Sequence, residues 1–520
     1  MLAARHGTYG VTMKPLEKIT SLLFGLLIAT AIIPNIAIAK HEKHHPHHRV
    51  KTVSSKAAYI GTVHGQDDLT AQIREAIKNI DPDAEVGIQV RSMKSGKTLY
   101  ALNTQHLFTP ASTMKILTAE AALIFLGPNY HFVTQLVTDA KSSDNGLLNG
   151  NVWVINSGDP SLTYYDMTDL MVTLKSQEIY GIHGNVYIDN SAYDQDNVAP
   201  GWLWKDRQYY YAAPINASII NHNFVSFSLL PGKKSNQNAQ LVKNPKYFYA
   251  DIKNSIVTRS RHARGCHVSV TSDPDNTINL NGCLAAGHYS RSATVVINDI
   301  QRYDKSLMQH LFRHSGIHLN GNVQNGVAPL GLFQLAVHES KPLHTLINDM
   351  LKNSDNTIAG SLFKKLGEIH SRSPGTWANG QKAVTEILQK YAALNPSQLK
   401  IIDGVGLSAN NQVTPEQLMR VLDYAFHNEQ TSYEFISALP IAGLDGTLKH
   451  RLKHIAGRVR AKTGTMANEG ISSLAGYAVS KDHEPIAFVV IVNGRKGNVW
   501  KYRELEDRIA TSLARFTRHG

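Results

Sequence analysis

Pro110-Ala111-Ser112-Thr113-Met114-Lys115 opens the most apolar helical run of the chain downstream of its N-terminal leader. Ile116, Leu117, Ala119, Ala121, Ala122, Leu123, Ile124, Phe125 and Leu126 follow, leaving almost no polar face. A helix that is apolar all round is buried. Pro110 before it and Gly127-Pro128 after it are start and stop signals. A serine at the mouth of a buried helix sits near unpaired backbone N–H groups and the positive end of the helix dipole, where an oxyanion can be held. Lys115 is three residues on, so one turn returns its amine to the side of Ser112 Oγ. That pairing can make a nucleophile.

Ser-x-x-Lys is a weak pattern, and Ser361/Lys364 and Ser397/Lys400 match it too. Context separates the three. The helix after Ser112 is apolar all round, so an ionisable Lys115 there needs a reason, whereas Lys364 and Lys400 are expected to face water.

A chain of 520 residues is too long for one core, so two or more domains are expected. Lys14 and Lys18 precede an apolar run over 22–33, and Ala37-Ile38-Ala39 offers a cleavage site, so residues 1–39 read as a secretory signal with Met13 a suitable initiator. A retained anchor is the lesser alternative, since the run is shorter than the about 20 residues of a bilayer span. Export suits the two cysteines, Cys266 and Cys283, which can form one disulfide; two free buried thiols are the plain alternative. The formal charge of +12 is dispersed and suits an anionic cell-wall polymer or a membrane surface, giving peripheral membrane association as an alternative; nucleic acid is not expected. The His-rich tract beginning at His41, within the polar linker 40–66, is read as solvated and assigned no metal site.

In chain order, 67–80 is an amphipathic helix, and 85–91 and 97–102 form a hairpin leading into Ser112. Residues 67–128 are thus the first part of a catalytic domain. From 129 to 328 the pattern changes to short strands, over 131–138, 150–156, 184–189, 224–230, 267–271 and 293–297, with helices at 164–177 and 300–314. This is a largely β insertion of two lobes, the second holding the cysteine pair. Its loops Gly158-Asp159-Pro160-Ser161-Leu162 and Pro200-Gly201-Trp202 are read as turns. Residues 329–520 complete the catalytic domain. Leu343, Leu346, Ile347, Met350 and Leu351 keep helical spacing up to Ser354-Asp355-Asn356, where a second helix begins; such a break can point polar side chains into a cleft. The other Ser-x-Asn copies, Ser143/Asn145 and Ser408/Asn410, read as a hairpin turn and a loop. Lys462-Thr463-Gly464 occurs once and is placed on a strand, where Gly464 lets a substrate backbone lie close. Strands over 471–479 and 486–493 and a helix over 502–516 follow.

Ser112/Lys115, Ser354/Asn356 and Lys462/Thr463/Gly464 are, in order, the three elements of the active-site serine penicillin-recognising enzymes. The long interval between the first two resembles the D-alanyl-D-alanine carboxypeptidase/endopeptidase group called class C low-molecular-mass penicillin-binding proteins, peptidase family S13. Four further stretches are similar to it: Gly158 to Leu162, Ala199-Pro200-Gly201-Trp202, Asp403-Gly404-Val405-Gly406-Leu407-Ser408, and the run from Leu439 through Asp445-Gly446-Thr447 to Leu448. Val405 departs from the serine that members often carry. The resemblance runs from about Asp67 to the C-terminus. It implies an α/β (α+β) fold: a penicillin-binding protein/β-lactamase-like transpeptidase domain, an antiparallel sheet with helices on both faces, carrying the β-rich insertion.

It also implies an exported, periplasmic serine-type D-Ala-D-Ala carboxypeptidase, with endopeptidase action alongside, needing neither metal nor cofactor and acylated by β-lactams. Its partners are then peptidoglycan stem peptides and cross-bridges. Lys115, kept neutral by burial and by neighbouring Lys462, takes the proton of Ser112. Backbone N–H groups of Ser112 and Thr465 hold the oxyanion. Ser354 relays a proton to the leaving amine, and Asn356 binds the substrate peptide. Lys462 supplies positive charge and, with Thr463 and Thr465, receives the terminal carboxylate. The competing readings are a β-lactamase, which the long insertion disfavours, and a cell-wall binding protein that has lost catalysis, which the intact motif residues disfavour.

Overall fold

Two hairpin strands near one end of the chain and three near the other meet in a single antiparallel sheet, in the order Val459–Met466, Ile471–Val479, Pro485–Asn493, Glu85–Ser92, Thr98–Leu102. The computed structural model describes residues 61–244, 250–287 and 290–518; the signal segment and nearly all of the His-rich linker lie outside these. Alternation along Pro485–Asn493 explains its apolar run. Ala487, Val489 and Ile491 join a helical core, while Ile486, Phe488, Val490 and Val492 join a separate core on the opposite face. That opposite core is closed by the helices Gly65–Lys78 and Val499–Arg515, through Leu69, Ile73, Leu505, Ile509 and Leu513. Helices therefore cover both faces of the sheet, as expected.

The helix Lys115–Leu126 runs through the helical core, touching Leu343–Asn353, Asn356–Ser371, Trp377–Ala392 and Pro415–His427. Every residue from Lys115 to Leu123 is buried, and Gly127 ends the helix at φ 82. Ser112 itself lies on a 3-10 turn, Ala111–Met114, that feeds this helix.

Between these parts, Val133–Thr138 pairs with Phe333–Glu339, so the intervening chain leaves and returns side by side. These are two strands of a second five-stranded sheet. The chain from Leu136 to Ala336 buries a core of its own, with Tyr164–Ser176 and Ile300–Ser315 packed into it. Asn145 (φ 48) and Gly146 (φ 77) make the tight turn between the short strands Ser143–Asp144 and Leu147–Leu148. Farther along, Ile252–Arg259 and Ile278–Ala285 pair in parallel, and Val268–Ser272 adds to the latter. The first two strands escape a pattern reading because Asn254, Thr258 and Gly282 take inward positions where apolar residues would mark the alternation. Cys266 and Cys283 form a disulfide, with a Cα–Cα distance of 5.0 Å.

Candidate active site

The backbone around Ser112 is held by its neighbours. Ala111, at φ 49, is in the left-handed region that non-glycine residues rarely adopt. The Pro110 carbonyl accepts from Thr113 Oγ1 at 2.7 Å and Ser473 Oγ at 2.6 Å. Two glycines press on the same segment. A Cβ at Gly406 (φ 81) would lie 2.0 Å from the Ala111 oxygen, and one at Gly464 would lie 2.7 Å from the Pro110 oxygen and 3.0 Å from Ser112 N. Side chains at either position would push the serine out of place.

Lys115 is fully buried and its Nζ has three acceptors: Ser112 Oγ at 3.2 Å, Asn356 Oδ1 at 2.6 Å and the Val405 carbonyl at 2.6 Å. Among the described residues no carboxylate touches it. Burial pushes the amine down to about 7, against the more distant pull of Asp403 and Asp355. Lys462 is also fully buried, and burial and the charge of Lys115 hold it well below the usual lysine range.

Ser354 ends the helix Leu343–Asn353 in the left-handed conformation, φ 58, and Asp355 Oδ1 caps the next helix at Ile358 N, 2.9 Å. The helix break is thus where the motif places it. Ser354 Oγ accepts from Lys462 Nζ at 2.9 Å, and the Thr463 carbonyl accepts from the same amine at 2.7 Å. Asn356, expected to face substrate, is engaged at both ends: Oδ1 by Lys115, and Nδ2 by the Tyr211 carbonyl at 2.7 Å. Thr463 Oγ1 donates to Thr447 Oγ1 at 2.7 Å, and Thr465 Oγ1 accepts from Arg503 at 3.1 Å. The structure so brings Ser112, Lys115, Ser354, Asn356, Lys462, Thr463, Gly464 and Thr465 to one place.

Pattern reading assigned no role to Asp403. It is fully buried; Oδ1 accepts from Val405 N, Gly406 N and Asn411 Nδ2, and Oδ2 from Ser408 N and the Trp202 indole at 2.7 Å. This folds the loop that presents the Val405 carbonyl to Lys115. The valine that departs from the family pattern contributes a backbone atom there, so its side chain is not what the contact uses. An aspartate followed by two spaced glycines signals such a loop. Trp202, read as part of a turn, does turn, with its N–H on the Ala199 carbonyl, but its indole also ties the insertion to this loop.

The decoys separate physically. Ser397 lies in an exposed turn bonded to Asn395, and Lys400 is exposed. Lys364 does not face water as expected: it is fully buried and paired with Asp194 Oδ1 at 2.7 Å.

The family model described as D-Ala-D-Ala carboxypeptidase 3 (S13) matches residues 69–516. D-alanyl-D-alanine carboxypeptidase DacB of Haemophilus influenzae is 31% identical over 82% of this chain and 88% of its own length. The D-alanyl-D-alanine carboxypeptidase of Actinomadura sp. strain R39 is 28% identical over 86% of this chain and 85% of its own. The crystal structure of penicillin binding protein 4 (dacB) from Haemophilus influenzae superposes with a TM-score of 0.75 at 29% identity, covering 84% of this chain and 99% of that one. The same protein complexed with a β-lactam superposes with a TM-score of 0.70. On a match that spans the sheet, the helical core and the insertion together, the chain belongs to the D-Ala-D-Ala carboxypeptidase 3 (S13) family.

Proposed function

We propose that this protein is a serine-type D-Ala-D-Ala carboxypeptidase that trims peptidoglycan stem peptides through an acyl-enzyme on Ser112. The observation that carries the reading is a fully buried lysine amine with no carboxylate in contact, 3.2 Å from the serine oxygen. Neutral Lys115 accepts the Ser112 proton as Oγ attacks the carbonyl between the two D-alanines. The resulting oxyanion is held by the backbone N–H groups of Ser112 and Thr465, which each contribute on the order of 10²–10³ in rate. As the intermediate collapses, the C–N bond breaks and the departing amine takes a proton through Ser354, replaced by the one that Lys115 removed from Ser112, so both lysines end as they began. Water then attacks the ester, releasing the shortened peptide and restoring Ser112. The same acylation accepts a cross-bridge in place of terminal D-alanine, which adds endopeptidase action. β-Lactams open on Ser112 and stay.

An exported, cell-wall-facing enzyme in the periplasm fits this substrate, with peripheral membrane association a secondary feature; among the described residues no helix is long and apolar enough to cross a membrane. Incubation with penicillin followed by peptide mass spectrometry should find the adduct on Ser112, and Ser112→Ala should abolish it. An adduct that persists in the variant would sink the reading.

A further inference from the structure

Arg503 lies near the start of the C-terminal helix Val499–Arg515, and its Nη2 donates to Thr465 Oγ1 at 3.1 Å. We propose that Arg503 is a specificity-determining residue of this site, its guanidinium binding the terminal carboxylate of the substrate beside the hydroxyls of Thr463 and Thr465. The inference rests on the carboxypeptidase reading above and extends it by one residue.

Three observations carry it. The first is that Arg503 is held in place. Thr465 is paired across the sheet with Ser472, Ser472 Oγ donates to Glu506 Oε1 at 2.6 Å, and Glu506 is one helical turn beyond Arg503. A buried carboxylate thus anchors this turn of the helix to the strand opposite Thr465.

The second is that Arg503 has no counter-ion. Glu506 and Asp507, the nearby acids, are taken by Arg451 at 2.8 and 2.7 Å, and among the described residues no carboxylate forms an ion pair with Arg503. Its guanidinium stays solvent-accessible and charged. A cation fixed at a substrate-facing strand and left without an anion is the arrangement that receives one.

The third is a shortage of positive charge elsewhere. The Lys462 amine already donates to Ser354 Oγ and the Thr463 carbonyl. Burial and the nearby Lys115 push it toward neutrality. Thr465 Oγ1, by accepting from Arg503, has its own O–H left to donate to the incoming carboxylate.

The test uses two substrates with the same scissile bond: an acyl-D-alanyl thioglycolate and its methyl ester, which lacks the carboxylate. For Arg503→Gln, kcat/KM on the free acid should fall roughly 10- to 100-fold, chiefly through KM, with the ester unchanged. Arg503→Lys should recover part of the loss. An equal fall on both substrates would mean that Arg503 only supports the fold, and no fall on either would mean a solvated side chain; each overturns the proposal. Failure of the underlying reading looks different: the wild-type protein would then treat acid and ester alike, or penicillin would label Ser112→Ala.

Discussion

Ser112/Lys115 and Ser361/Lys364 have the same pattern and spacing, and both lysines are fully buried; only one pair is equipped for catalysis. Lys364 Nζ meets Asp194 Oδ1 at 2.7 Å, the Asp196 carbonyl at 2.9 Å and the Ile215 carbonyl at 3.2 Å, with the Trp377 ring 5.0 Å away. Its serine is committed elsewhere, donating to the Gly158 carbonyl and bonded to the Tyr193 hydroxyl. Lys115 has a serine, an amide oxygen and a carbonyl, but no acid in contact. Burial pushes both amines down. At Lys364 the contacting Asp194 pushes back, making a staple between the helix Asn356–Ser371 and the 194–215 segment. A missing counter-ion, more than burial, turns a lysine into a base.

Removing each lysine in turn should give opposite phenotypes. Lys115→Met should slow penicillin acylation by at least about 10³-fold while leaving the urea midpoint near or above that of the wild type. Lys364→Met should cost about 3 kcal/mol of stability by stranding Asp194, with the acylation rate per folded molecule retained. If Lys364→Met abolished acylation in protein that is still folded, the distinction between staple and base would fail.

The contrast can also be crossed. Asn356→Asp places a carboxylate on Lys115, reproducing what Asp194 does for Lys364. The pH profile of acylation, expected to rise through about pH 7 in the wild type as Lys115 loses its proton, should move upward by at least about one unit. The rate at pH 7 should drop roughly tenfold or more. An unmoved profile would assign the titration to another group.

Glu120, on the same buried helix, supplies the acidic counterpart. Burial pushes it up to about 8, and among the described residues neither carboxyl oxygen has a hydrogen-bond partner. A folded-state pKa above the unfolded value gives stability that is complete below about pH 4.5 and is lost as pH rises through about 8. Glu120→Gln should therefore match the wild type below about pH 4.5 and exceed it increasingly as pH rises, by up to about 4–5 kcal/mol above pH 8 in denaturant titrations. A constant difference across pH would mean that Glu120 does not titrate in the folded protein.

Much of the sheet and helical framework could be read from local pattern. The short uncharged runs of 471–479 and 486–493 with the polar turn between them, the spacing from Leu343 to Leu351 and the polar break at Ser354 are local signals, which neighbours in sequence decide. Less was legible in Ile252–Arg259 and Ile278–Ala285, where Asn254, Thr258 and Gly282 stand at inward positions and blur the alternation. Tyr211 and Arg503 carried no local sign of their place in the site, and the stretches holding Trp202, Asp403 and Thr447 signalled loops and a resemblance without a role, because each acts through a contact far along the chain.

The sequence by itself determined that a nucleophilic serine and a lysine share one turn at the mouth of a buried helix, and that two further motifs stand ready in order. Folding decided which lysine would receive an acid. Asp194 lies 170 positions from Lys364, and Asn356 lies 241 positions from Lys115. Periodicity specifies which face of an element is buried, whereas the charge state of a buried amine depends on what the rest of the chain brings against it.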